Sequence, residues 1–160
     1  LFSRTIAENI GITGNDSEDS IKNAARIACL DETVESFTEG YGTVVGERGV
    51  TLSGGQKQRT AIARMLTQNT PIMIFDDSLS AVDAETDVKI RKALREKTAD
   101  ATVILISHRT ATLMHADRIL VLDKGKVADI GTHEELITRP GYYREVYELQ
   151  NGITGEGGVA

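Results

Sequence analysis

Two short apolar runs, Ile72-Met73-Ile74-Phe75 and Val103-Ile104-Leu105-Ile106, flank a stretch with helical period. Unbroken apolar runs of this length are the pattern of strands covered on both faces. Between them, residues 84–97 read as a helix, with Val88, Ile90 and Leu94 as inward candidates and Glu85/Lys89 as an i,i+4 ion pair. Strand, helix and strand at this spacing predict a parallel βαβ unit with a right-handed crossover. The first run ends in Asp76-Asp77, so it delivers carboxylates to the C-terminal edge of a sheet, where α/β folds place ligand chemistry.

Upstream, the chain reads as helices joined by glycine-rich segments. Ile21, Ala24, Ala25 and Ala28 recur at helical spacing within 16–30, behind Asp16 or Ser17 as N-cap, and a short helix over 31–37 follows. Residues 40–49 form a loop with four glycines, and a helix is expected over 54–68, with Ala61, Ile62, Met65 and Leu66 on one face. Downstream, segments 118–122 and 126–130 flank Lys124-Gly125, a hairpin signal. Thr132 to Glu135 form a capping box, Pro140-Gly141 stop that helix, and a last helix covers about 142–150. The tail 151–160 holds four glycines and is expected to be mobile.

Composition excludes several classes. The net charge is −6 and no run of Lys or Arg forms a stripe, which argues against a nucleic-acid partner. No apolar stretch approaches the roughly 20 residues of a membrane span, so direct membrane insertion of this segment is not expected. One cysteine, Cys29, rules out an internal disulfide, and its neighbours Ala25, Ala28 and Leu30 suit a small buried hydrophobe. The other two lone candidates are bland: His115 reads as a helix end and His133 as a first-turn residue.

The string Leu52-Ser53-Gly54-Gly55-Gln56-Lys57-Gln58-Arg59 opens a helix with a hydroxyl and two glycines. A helix start leaves amides without partners, glycines let an anion approach, and the helix dipole favours negative charge there. Ser53 can cap the helix or donate its hydroxyl to a phosphate oxygen. Asp76, at a strand tip, can hold Mg²⁺ through water.

This string, followed by Thr60 to Arg64 and then by the Asp76-Asp77 strand, resembles the signature and Walker B motifs of the ATP-binding cassette (ABC) ATPases. The resemblance covers about 1–150. It implies an α/β fold: an incomplete RecA-like P-loop NTPase core of the ABC type, with a helical signature subdomain. Residues 1–70 would be that subdomain, 71–150 the rear part of the core, and 151–160 a flexible tail. In this family two nucleotide-binding domains stack head to tail. Ser53, Gly54, Gly55 and Gln56 would therefore contact an ATP held by a partner. Asp76 would hold Mg²⁺. Asp77 stands where the family normally has glutamate as general base or water positioner. Ser80-Ala81-Val82-Asp83 resembles the D-loop, with Ser80 and Asp83 crossing the dimer interface, although Asp83 also suits an N-cap. His108, in Ile106-Ser107-His108-Arg109, resembles the H-loop histidine that bonds the γ-phosphate. Residues 43–49 resemble the exporter loop, with Thr43, Glu47 and Arg48 meeting the coupling helices of a transmembrane domain.

Asp keeps the charge of Glu but is shorter by about 1.5 Å, one bond. A misplacement of about 1 Å can cost on the order of 100-fold in rate. The site built on Asp77 is therefore expected to hydrolyse slowly, while the signature is intact. That combination resembles one half of a heterodimeric exporter, at the cytoplasmic face of the cell membrane. It implies a second nucleotide-binding domain and a transmembrane domain as partners, and ATP with Mg²⁺ as ligands. The alternatives are a soluble ABC ATPase outside transport, or a regulatory cassette that binds ATP without hydrolysing it. No Walker A loop is found in the sequence, and residues 1–10 resemble the segment just after the Q-loop, so the chain is expected to be part of a longer protein. By itself it is expected to bind ATP negligibly, and to expose apolar sheet surface that a complete domain would cover.

Overall fold

The computed structural model describes residues 1–12, 16–46, 49–68, 70–77, 81–98 and 101–153. They form two compact units, Leu1–Ile104 and Leu105–Ala160. The division falls between Ile104 and Leu105.

In the first unit, helix α1 (Ile6–Ile10) starts from a capping box in which Thr5 and Glu8 cap each other. Helix α2 (Glu18–Ile27) takes Ser17 as N-cap. It ends with Cys29 in the left-handed region, φ 51°. The Leu30 amide donates to the Ala25 carbonyl and the Cys29 amide to the Arg26 carbonyl, which is a Schellman ending with cysteine where glycine is usual. Helix α3 (Asp31–Glu35) and a 3₁₀ turn (Gly40–Gly42) follow. Helix α4 (Gly54–Leu66) packs on both α1 and α2. Ile6, Ile10, Ala24, Ala25, Leu30, Val34, Ile62 and Leu66 are buried in this unit. Ala61, expected on the inner face of α4, is exposed, and Ala63 is buried instead.

A polar knot joins α1 to α4. Asn9 is fully buried, accepts from the Phe2 amide at 2.9 Å, and donates to the carbonyls of Phe2, Arg4 and Thr5. Arg64 donates to the Asn9 carbonyl at 2.6 Å and to Asn9 Oδ1 at 3.0 Å, and lies over the Phe2 ring. Burial lowers the Arg64 pKa, but a guanidinium stays charged at any ordinary pH.

Strand β1 (Ile72–Asp76), helix α5 (Ala84–Lys97) and strand β2 (Thr102–Ile106) follow, with β1 and β2 neighbours in a two-stranded sheet. The expectation of burial on both faces fails. Met73 and Phe75 are buried, whereas Ile72 and Ile74 are 60% and 62% exposed, and no residue of β2 is fully buried. A strand needs a layer on each face to be covered twice, and here one face of the sheet is open. On α5, Ile90 and Leu94 are buried as expected and Val88 is exposed. Two residues before Ile90 is about 200° around a helix, the opposite face.

The second unit holds helix α6 (Thr110–Leu113), the antiparallel hairpin β3 (Ile119–Asp123) and β4 (Lys126–Gly131), and helices α7 (His133–Thr138) and α8 (Tyr142–Gln150). Lys124 and Gly125 both take positive φ, as a two-residue hairpin turn demands. Ile119 and Val121 face Leu136 and Tyr143 in its core. The other side of the hairpin carries the cross-strand pairs Leu120/Ile130 and Leu122/Val127, all exposed. Thr132 caps α7 together with Glu135 as expected. His133 does occupy the first turn, but it is buried, with Nδ1 2.9 Å from the Tyr143 hydroxyl. His115 lies exposed beyond the end of α6. Among the described residues no helix is long and apolar enough to cross a membrane.

Candidate functional site

The head of α4 is built by its own sequence. Ser53 takes extended dihedrals and its Oγ accepts from the Gln56 amide at 3.3 Å, while Gln56 Oε1 accepts from the Ser53 amide at 2.8 Å. This reciprocal box uses the Gln56 side chain as a cap. The first amide of the helical ladder is that of Lys57, which donates to the Ser53 carbonyl. Gly54 and Gly55 therefore point their amides out of the helix end. No acid lies in this first turn, and Ser53 and Gly54 are exposed. An acceptor role for Ser53 Oγ leaves its hydroxyl hydrogen available to a second oxygen.

Ser53, Gly54, Gly55, Arg59, Ala81, Val82 and Asp83 line an open depression of about 420 Å³. Its far wall is the segment entering α5. The Ala81 amide donates to Gln58 Oε1 at 3.0 Å. A β-carbon on Gly55 would sit 2.8 Å from the Ala81 carbonyl oxygen, closer than real contacts allow. One on Gly54 would meet only ordinary contact, 3.6 Å from the Ala81 methyl. Asp83 caps α5, its Oδ1 accepting from the Thr86 amide at 2.9 Å. That bond lowers the Asp83 pKa. Ser80 lies outside the described residues. Arg59 donates to the Cys29 carbonyl at 2.9 Å, tying the depression to the end of α2. The Cys29 side chain is half-buried, not fully buried as expected, and burial raises its thiol pKa.

Asp76 ends β1 and Asp77 follows it, both exposed. Asp77 has φ 45°. Aspartate enters the left-handed region more readily than most side chains, so this backbone suits Asp. Among the described residues no group of three or more His, Cys, Asp or Glu could hold a metal. A carboxylate at a strand tip still suits Mg²⁺, which keeps several waters and takes further oxygens from phosphates.

In the second unit His108 follows β2 and is exposed. Its carbonyl accepts from Gln150 Nε2 at 2.6 Å, and Gln150 Oε1 accepts from both the amide and the hydroxyl of Thr110, each at 2.9 Å. The last residue of α8 thus holds the backbone on either side of Arg109.

The loop after the 3₁₀ turn is tight. The Val50 amide donates to Val44 and the Val45 amide to Arg4. A β-carbon on Gly49 would lie 2.1 Å from the Val44 carbonyl. Thr43, expected to face a membrane domain, is instead buried at 5% exposure, because its carbonyl receives the Ile6 amide and draws the residue inward. Val44 is exposed beside it. Glu47 and Arg48 lie outside the described residues.

Sequence reading missed Gln58, Gln150 and the Asn9–Arg64 knot. Gly55 and Gln58 are three apart and share a helix face, a signal that could have singled out Gln58. Nothing in the sequence links Gln150 to His108.

The ABC transporter family matches residues 1–80, and the chain belongs to it. Its fold is the P-loop NTPase fold of the ABC ATPases. A Bacillus subtilis (strain 168) protein named as a probable multidrug resistance ABC transporter ATP-binding/permease protein, YheI, is 47% identical over 161 residues, covering 100% of this chain and 28% of the relative. The mitochondrial potassium channel ATP-binding subunit of Xenopus tropicalis is 47% identical over 152 residues, 94% of this chain and 22% of the relative. Among solved structures, a bacterial Atm1-family ABC exporter with ATP bound superposes with TM-score 0.90 at 41% identity, over 94% of this chain and 27% of that one. The chain therefore spans about a quarter of the length of these proteins.

Proposed function

We propose that this chain is the signature-bearing part of the ATPase domain of a membrane exporter, coupling ATP binding and hydrolysis to movement of a substrate across a membrane. The observation that carries the reading is the head of α4. A capped helix start, free of acids in its first turn, turns two glycine amides and a serine hydroxyl toward an open depression. Such an end suits a phosphate. Relatives named as ATP-binding/permease proteins and a structural neighbour described with ATP bound support the nucleotide and the membrane-domain partner. Residues 1–70 would form the helical subdomain and 71–150 the rear of the core, and the domain would lie at the cytoplasmic face of the cell membrane.

Hydrolysis moves a water oxygen onto the γ-phosphorus as the bond to the β-phosphate bridging oxygen breaks. Ser53, Gly54 and Gly55 would hold the γ-phosphate of an ATP seated on a partner domain, with Gln56 bracing the turn. Asp76 would orient Mg²⁺ through water. Asp77 would meet the attacking water, and His108 would bond the γ-phosphate at this domain's own site. Ser80 and Asp83 would cross the dimer interface, and Glu47 and Arg48 would meet a membrane domain. The open apolar faces at Ile72/Ile74 and at Leu120/Ile130 fit a domain completed by further sequence.

Asp77 favours a heterodimer with one slow site, or a cassette that binds without hydrolysing. The test is steady-state ATPase of the full-length protein with its partner. Asp77→Glu is expected to raise turnover, and a partner Glu→Gln change to remove most of it. If neither moves the rate, the asymmetric pair fails. A structure with trapped Mg-ATP in which α4 points away from the triphosphate overturns the nucleotide reading itself.

A further inference from the structure

We infer that Gln58 is a positioning residue that fastens the backbone at Ala81 to the head of α4, so that the phosphate-facing turn and the start of α5 meet a facing subunit as one body. This rests on the reading of the Ser53 turn given above. Three features of the contact converge. The Ala81 amide donates to Gln58 Oε1 at 3.0 Å. The Ala81 carbonyl oxygen lies where a β-carbon on Gly55 would come within 2.8 Å, so the two backbones touch. Asp83, two residues on, is fixed in turn to α5 through the Thr86 amide. Segment 81–83 is therefore held on one side by α4 and on the other by α5, and it shares a depression with Ser53, Gly54 and Gly55.

Gly55 makes the approach possible and Gln58, one turn later on the same face, sets its register. Without the glutamine oxygen, the Ala81 amide would lose the bond that sets its place over Gly55. The segment could then slide while α4 stayed folded, since α4 keeps its own capping box and its packing on α1 and α2. Sub-ångström errors in such a wall are felt in turnover before they are felt in binding.

The test uses the full-length protein with its partner and reads ATPase kcat, KM for ATP and Tm. Gln58→Met, of similar length but without the acceptor, is expected to lower kcat about tenfold, with KM within about twofold and Tm within about 2 °C. Gln58→Glu, which keeps an acceptor oxygen at the same reach, is expected to restore most of the rate. An unchanged kcat for Gln58→Met overturns the inference. So does a loss that tracks a fall in Tm, or one that Gln58→Glu fails to repair. Gly54→Asp separates this from the parent reading: the added side chain has steric room but sets a carboxylate before the phosphate. If it abolishes turnover while Gln58→Met does nothing, only the role of Gln58 falls. If it has no effect, the phosphate reading falls and this inference with it.

Discussion

Gln150, the last residue of α8, grips the backbone at His108: its amide nitrogen donates to the His108 carbonyl at 2.6 Å while its oxygen accepts twice from Thr110. One flexible side chain thereby satisfies three groups between the end of β2 and the first residue of α6. A net hydrogen bond contributes about 1 kcal/mol. Gln150→Ala is expected to speed hydrogen exchange of the Thr110 amide by at least about tenfold, the equivalent of about 1.4 kcal/mol. Gln150→Glu keeps the acceptor and loses the donor, so it should fall between. Residue-resolved exchange measures this, and an unchanged Thr110 rate would refute the clamp.

Arg64 and Asn9 form the polar centre of the first unit. Arg64→Ala removes two charge-assisted bonds to Asn9, which is fully buried. The expected loss is about 2–3 kcal/mol, seen as a lower urea midpoint. Arg64→Lys should recover less than half, because a single ammonium cannot present the planar fork that reaches both oxygens.

Cys29 sits at φ 51° where the α2 ending wants glycine. A left-handed L-residue costs about 1–2 kcal/mol. Cys29→Gly, after loss of a half-buried side chain, is expected to stabilise by about 0.5–1 kcal/mol, and Cys29→Val to destabilise because β-branching suits that region least. Since burial raises the thiol pKa, alkylation of wild-type Cys29 at pH 8 should run slower than that of a free thiol.

Asp83 gives a pH signature. Its folded pKa lies below the ordinary 3.8, chiefly through the Thr86 amide. A depressed pKa means stability that is fully present above 3.8 and is lost as pH falls through the folded value. Asn caps as well as Asp but does not titrate. Asp83→Asn should therefore match wild type at pH 7 and fall off less steeply below pH 4 in thermal melts. Parallel acid profiles would show that the cap is not the cause.

Much of this molecule was legible before its structure. The cap of α4 by Ser53 and Gln56, the turn at Lys124-Gly125 and the box at Thr132 follow from residues within a few positions of each other, and local sterics and local hydrogen bonds settle them. The order of the motifs also carried the family.

Tertiary structure decided the rest. No period in the sequence brings Gln150 to His108, Gln58 to Ala81 or Arg64 to Asn9, because each bond joins segments whose meeting depends on how helices pack. Packing also decided burial: Thr43 turned inward when its carbonyl received the Ile6 amide, and Ile72 and Ile74 stayed exposed because a hydrophobic run records only what a strand can bury, while a second layer determines whether it does.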